Sequence, residues 1–98
     1  MTRRMVSEGV LEVDQEDVVK VASAISSPTR FEILKYIQLK EADLGEISAL
    51  IKQSKANASA QVRILEKADL VKVIYKPGQR GVKKTCALNV REVKLKLQ

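Results

Sequence analysis

The hydrophobic period of this chain changes once, at Leu70, and that change restricts the folds open to it. Before Leu70 the apolar residues recur at helical spacing. From Leu70 onward, in LVKVIYK, β-branched and aromatic residues dominate, and Lys72 and Lys76, four apart, share one face of a strand. PGQRG follows, with Pro77 to fix one φ and Gly78 and Gly81 to supply positive φ. VKKTCALN is then the partner strand. The expected class is α+β, with about four helices, a basic β-hairpin after them and an extra terminal strand.

The helices have identifiable starts. VLEV, from Val10 to Val13, reads as a short strand. Asp14 then offers an N-cap, Glu16 and Asp17 suit the positive end of a helix dipole, and Val18, Val21, Ala22 and Ile25 place a first helix at about 15–25. Ser27 caps a second helix with Pro28 at its first position. Phe31, Ile33, Leu34 and Ile37 form its apolar face, and it is expected to run to about residue 40. Asp43 with Glu46 resembles a capping box for a short third helix, about 44–52, carrying Leu44, Ile47, Leu50 and Ile51. Ser54 caps a fourth, about 55–68, with Ala58, Val62 and Leu65 turned inward and Ile64 beside them. At the end Val93, Leu95 and Leu97 alternate with Lys94 and Lys96, the pattern of a strand. Residues 1–9 are expected to be a flexible N-terminal arm, and residues 10–98 a single domain.

Composition removes most enzyme classes. The chain has 98 residues, no histidine and one cysteine, Cys86. That excludes His-based acid–base catalysis, Ser-His and Cys-His pairs, most metal sites and any intrachain disulfide. The apolar neighbours of Cys86 predict a buried, inert thiol. Gly78 and Gly81 have the wrong spacing for a P-loop, and a strand follows them where a P-loop needs a helix. Aromatic content of 3% leaves no stacking platform for single-stranded bases. No apolar run approaches the ~18–20 residues of a membrane span, and the basic N-terminus lacks the apolar stretch of a secretion signal. A soluble, cytoplasmic protein without membrane association is expected.

Charge is uneven along the chain. Residues 1–50 hold six Lys/Arg against nine Asp/Glu, and residues 51–98 hold twelve against three, so the halves carry −3 and +9 within a net +6. A basic half of this kind is the electrostatic footprint of a nucleic-acid binder. A short helix, a tight turn and a second helix with polar outward residues make a helix-turn-helix, whose second helix fits a major groove ~12 Å wide. The hairpin beside it is a wing.

AISSPTRFEILKYI, LGEISALIKQS and SAQVRILEKADLV together resemble the winged helix-turn-helix transcription regulators of the ArsR type. They match the family's second helix, the first helix of its DNA-reading unit, and its recognition helix with the exit into the wing. The resemblance implies a homodimeric, sequence-specific binder of double-stranded DNA, a repressor in many cases. The metal sensors of the family use Cys or His ligands in the first reading helix or on terminal helices, and this chain has none there, so no metal or cofactor is expected. Many relatives end in a dimerising helix where this chain reads as a strand. The spare apolar surface for a dimer is then the N-terminal helix and the Val93–Leu97 strand.

On the fourth helix the outward candidates are Lys55, Asn57, Ser59, Gln61 and Arg63. Asn57 and Gln61 lie four apart, on one face, and their amides suit bidentate bonds to adenine. Arg63 and Lys55 suit guanine or phosphate. In the wing, Lys72, Lys76, Arg80, Lys83 and Lys84 are placed to neutralise phosphates, with Arg80 at the tip within reach of a narrow minor groove. Arg30, early in the second helix, is expected to be a structural ion-pair partner rather than a base reader. The alternative function is a winged-helix protein-interaction module in a transcription or replication assembly, because fold alone does not settle function. The effector is not identified by the sequence.

Overall fold

The computed structural model describes residues 4–98. In chain order the elements are β1 (Arg4–Ser7), β2 (Val10–Val13), α1 (Gln15–Ser26), α2 (Pro28–Ile37), β3 (Ala42–Asp43), α3 (Leu44–Ile51), α4 (Lys55–Lys67), β4 (Val71–Gly78), β5 (Gly81–Leu88) and β6 (Glu92–Leu95). Two three-stranded sheets flank the helices, ordered β1-β2-β6 and β3-β5-β4. The α+β class, the four helices, the hairpin and the terminal strand are therefore all present.

The core gathers one stripe from each helix and closes against both sheets. Val21 and Ala24 of α1, Ile33 and Ile37 of α2, Ile47 of α3, and Ala58, Val62 and Leu65 of α4 are all buried. Leu11 and Val13 of β2 and Val71 and Cys86 of the hairpin close it from the two sheets. Phe31 departs from expectation: it is 49% exposed, because α2 turns that side of its stripe toward an open groove rather than the core. Ile64, also 42% exposed, lies outside the inward stripe of α4. The second helix stops at Ile37, short of the expected residue 40, where Gln38 caps it and the Leu39 N–H bonds to the Tyr36 carbonyl.

The flexible arm expected over residues 1–9 is corrected for its described part. Arg4–Ser7 is a strand paired antiparallel with β2 through the two-residue loop Glu8–Gly9. Both loop residues have positive φ, 53° and 78°, the combination of a type I′ turn whose twist suits a hairpin. Arg4 ties the strand down: its guanidinium lies 2.8 Å from the Asp17 carboxylate and donates to the Lys67 carbonyl at 2.7 Å. Residues 1–3 lie outside the described residues.

The reading unit is assembled by caps. Asp43 accepts from the Glu46 backbone N–H at 2.8 Å, and the Glu46 carboxylate accepts from the Asp43 N–H at 3.3 Å, a complete capping box. Lys52 ends α3 in the left-handed conformation, φ 56°, with the Gln53 N–H returning to the Ser48 carbonyl. Two residues later Ser54 caps α4 through the Asn57 N–H. At its far end, left-handed Asp69 and the Leu70 N–H bonded to the Leu65 carbonyl form a second stop of the same kind, which launches β4. Asn89 donates its side-chain amide to the Asp69 carbonyl and holds that reversal.

Arg30 locks three helices. Its guanidinium donates to the carbonyls of Ala24 at 2.8 Å and Ser23 at 3.0 Å, at the end of α1, and to Gln61 Oε1 on α4 at 2.8 Å. Arg30 is structural as expected, but it acts through carbonyl oxygens rather than an ion pair.

Two stability outcomes follow from these contacts. Arg30→Ala is expected to lower unfolding free energy by about 2 kcal/mol in urea titration, with little recovery in Arg30→Lys, since one ammonium cannot reproduce a three-way fork. Asp43→Ala is expected to cost about 1 kcal/mol at neutral pH. The Asp43 carboxyl is held below its ordinary value of 3.8, first by the Glu46 N–H and then by Lys83. Its contribution is therefore complete above that value and lost as pH falls through the lower, folded one. Urea midpoints of wild type and Asp43→Ala should converge as pH drops below about 4.

Candidate nucleic-acid interface

The N-terminal half of α4 faces solvent. Lys55, Asn57 and Arg63 are exposed, with Ala56 and Ala60 between them, while Ser59 and Gln61 are half-buried. The burial of Ala58 and Val62 fixes this orientation, because it turns the opposite side of the helix outward. Small alanines on the exposed side let the backbone approach another surface closely.

Gln61 is not free on that face. The bond from Arg30 occupies a lone pair of its side-chain oxygen and orients the amide, which leaves its NH₂ to be presented outward. No local signal in the sequence links two residues 31 positions apart. Asn57 is exposed on the first turn.

The hairpin β4–β5 projects beside α4, and the described chain measures 48 × 25 × 23 Å. Gly78 faces Gly81 across the pair, so the loop is only Gln79–Arg80 and Arg80 sits at the tip. PGQRG is thus shorter as a turn than it reads, since Pro77 and Gly78 belong to the strand. Gly81 has φ +103°, a conformation that L side chains rarely adopt, and a Cβ on Gly78 would stand 3.2 Å from the Gly81 carbonyl oxygen. Of the two glycines expected to supply positive φ, only Gly81 does so; Gly78 is favoured by the close approach of the Gly81 carbonyl instead.

The wing cations fall on two faces. Lys72 and Lys76 share one, as their spacing predicts, and Lys83 joins them opposite Lys76. Lys84 lies on the other face with Cys86 and is half-buried, and Arg80 extends from the end. Like charges directly opposite are unfavourable; here each lysine has its own carboxylate. Lys76 Nζ meets Glu41 Oε1 at 2.5 Å, and Lys83 Nζ meets Asp43 Oδ2 at 3.0 Å. Lys72, Arg80, Lys84, Lys55 and Arg63 have no ion-pair partner among the described residues.

An open cleft joins the parts. Asp43, Leu44 and Gly45 at the start of α3, Lys55 at the start of α4, and Val82, Lys83 and Lys84 of the wing line it together. Lys55 runs over Gly45, where its Cε would lie 3.8 Å from an added Cβ. The sequence therefore places its cations in two segments, and the fold brings Lys55 of one and Lys83 and Lys84 of the other to one cleft.

Cys86 is buried, and burial pushes its thiol up to about 11, so it stays protonated at neutral pH. Among the described residues no group of three or more His, Cys, Asp or Glu side chains is placed to hold a metal ion. No helix among them is long and apolar enough to cross a membrane.

Comparison with known proteins bears on this geometry directly. A family model described as a helix-turn-helix domain matches residues 25–74, just over half of the chain. Among solved structures, the chain is similar to the homodimeric winged helix-turn-helix DNA-binding domain of a possible ArsR-family transcriptional regulator from Mycobacterium bovis, at 20% identity and TM-score 0.67, covering 76% of this chain and 65% of that one. Reduced HlyU from Vibrio cholerae matches at 23% identity and TM-score 0.64, over 76% of this chain and 74% of its own. A transcriptional regulator homologue from Pyrococcus horikoshii matches at 18% identity and TM-score 0.60, over 76% of each chain. This chain thus spans just under two thirds of the first of these and about three quarters of the others. No curated protein sequence matches it. The matched segment runs from the end of α1 through α2, the capped reading helices and the start of the wing, and the chain accordingly belongs to the helix-turn-helix domain family and has the winged helix-turn-helix fold.

Proposed function

We propose that this chain is a sequence-specific double-stranded DNA-binding transcription regulator of the repressor kind, working in the cytoplasm as a homodimer and without catalytic activity. The observation that carries this reading is the cleft in which Lys55, at the start of the exposed face of α4, meets Lys83 and Lys84 of the wing. The double helix suits it: α4 occupies the major groove, and the hairpin lies along the backbone with Arg80 toward the adjacent minor groove. The first structure named above is described as a homodimeric DNA-binding domain, which agrees with a paired arrangement.

The side chains divide by what they can offer. Asn57, exposed on the first turn, presents both halves of its amide and suits adenine. Gln61, its oxygen held by Arg30, presents its NH₂ and suits a purine acceptor rather than a bidentate adenine pair. Lys55 and Arg63 flank them, within reach of phosphate or guanine, and Ser59 lies deeper between the alanines. Lys72, Arg80 and Lys84 contribute charge without first giving up a partner, whereas Lys76 and Lys83 exchange Glu41 and Asp43 for phosphates. Because exposed ion pairs are worth only about 0–1 kcal/mol, that exchange is inexpensive.

Electrophoretic shift and fluorescence anisotropy on duplex DNA test this reading. Affinity should fall steeply with salt as counterions are released. Arg80→Ala should weaken binding to all sequences alike and reduce the salt slope by about 1. Asn57→Ala should instead cost about 1–3 kcal/mol on the preferred sequence and little on random duplex. No shift at micromolar protein in low salt would favour the protein-interaction module.

A further inference from the structure

The sheet β1-β2-β6 ends on β6, and no strand lies against its outer edge among the described residues. β6 pairs parallel with β2, with Val93 beside Leu11 and Leu95 beside Val13. The Lys96 N–H bonds to the Val13 carbonyl, so alternation along the strand turns the N–H and C=O of Lys94 toward β2 and those of Val93 and Leu95 toward the open edge. Glu92 and Lys94 lie on the outer face of the sheet, Val93 and Leu95 on the inner. Beneath the edge, on the inner face, runs a groove of about 250 Å³ lined by Ile25, Phe31, Leu34, Val90 and Val93. Phe31, half-exposed on α2, is its largest apolar wall.

We infer that the occupant of this edge is β6 of a second copy, antiparallel about Val93, so that two sheets become one of six strands. The inference deepens the homodimer part of the proposed function and rests on it.

Charge selects both the partner and the register. Only residues whose backbone groups face the edge can bond across it, so Val93 and Leu95 must meet each other or themselves; Arg91 gives its N–H to the Gly9 carbonyl and offers the edge its C=O alone. With Val93 opposite Leu95 of the partner, Glu92 faces Lys96 but Lys94 faces Lys94 on the symmetry axis. With Leu95 opposite itself, Lys94 faces Lys96 twice. With Val93 opposite Arg91, Glu92 faces Glu92. With Val93 opposite itself, Glu92 faces Lys94 of the partner, and the symmetry axis repeats that pair. Only this last register sets opposite charges face to face with no like-charged pair beside them. It also lays the apolar inner side of the partner strand over the groove beside Phe31 and Leu34. Glu92 is available for the exchange, since its contact with Arg91 is long, 3.9 Å, and exposed.

Sedimentation velocity and thiol cross-linking of the full chain test the pairing. Wild type should be dimeric at micromolar concentration. Glu92→Lys or Lys94→Glu alone should raise the dimer dissociation constant at least tenfold, because symmetry doubles each like-charge contact, and the double swap should restore it. Val93→Cys should cross-link two chains on mild oxidation, since a hydrogen-bonded antiparallel pair holds its Cα atoms ~5.5 Å apart, within disulfide reach. Leu39→Cys, exposed away from the sheet, should not. A dimer that ignores both charge reversals, or Val93→Cys linking no faster than Leu39→Cys, would overturn the pairing and leave the DNA reading intact. A monomer at working concentration would overturn the pairing and the homodimer together.

Discussion

Asp43 is the point on which the reading unit turns. Its side chain closes the first turn of α3, its backbone pairs with Thr85 as β3, and its second carboxylate oxygen meets Lys83 on the wing. One residue thus sets where the first reading helix starts and where the hairpin stands relative to it. The negative charge suits both tasks, because a helix N-terminus and an ammonium group each stabilise it. The Glu46 carboxyl is likewise held below its ordinary range, first by the Asp43 N–H, so the box is favoured from both sides. The orientation of α4 toward a ligand depends on this short segment as much as on α4 itself.

Three of the helices were readable because each begins with a side chain whose chemistry is local, whereas Asp14 stands at the N-cap of α1 without a side-chain cap bond. Ser27 and Pro28, Asp43 and Glu46, and Ser54 announce helix starts within four residues, and the alternation from Leu70 announces a strand. Helix ends were harder to place. α3 and α4 stop at Lys52 and Asp69, both left-handed without being glycine, so nothing in composition marked them. The N-terminal hairpin shows the same difficulty. Its loop places Glu8 at positive φ before Gly9, and its pairing depends on Arg4 reaching Asp17 and Lys67, contacts far apart in the chain.

The candidate site was readable as a residue list and not as a surface. Spacing correctly placed Asn57 and Arg63 on the exposed side of α4 and Arg80 at the hairpin tip. Spacing alone did not reveal that Arg30 holds Gln61, or that Lys76 and Lys83 carry carboxylate partners, because those contacts join residues 31, 35 and 40 positions apart. The effect is selective. Residues whose environment is set by their own helix kept the character the sequence assigned them, while those at a junction between elements acquired a partner.

That selectivity has an electrostatic consequence. The acidic first half and the basic second half are not two separate regions in the fold, because Glu41 and Asp43 lie against the wing and neutralise two of its lysines. Lys76 and Lys83 are cross-strand partners, and the two carboxylates offset the repulsion between them before any ligand arrives. A polyanion then meets a wing that is already ordered, with Lys72, Lys84 and Arg80 uncompensated around it. The ordering cost has been met in the free protein, where a wing of five unpaired cations would have had to meet it on binding. Acidic residues near a basic interface are in this sense part of its construction, and the net charge of the second half overstates the positive field that the surface presents.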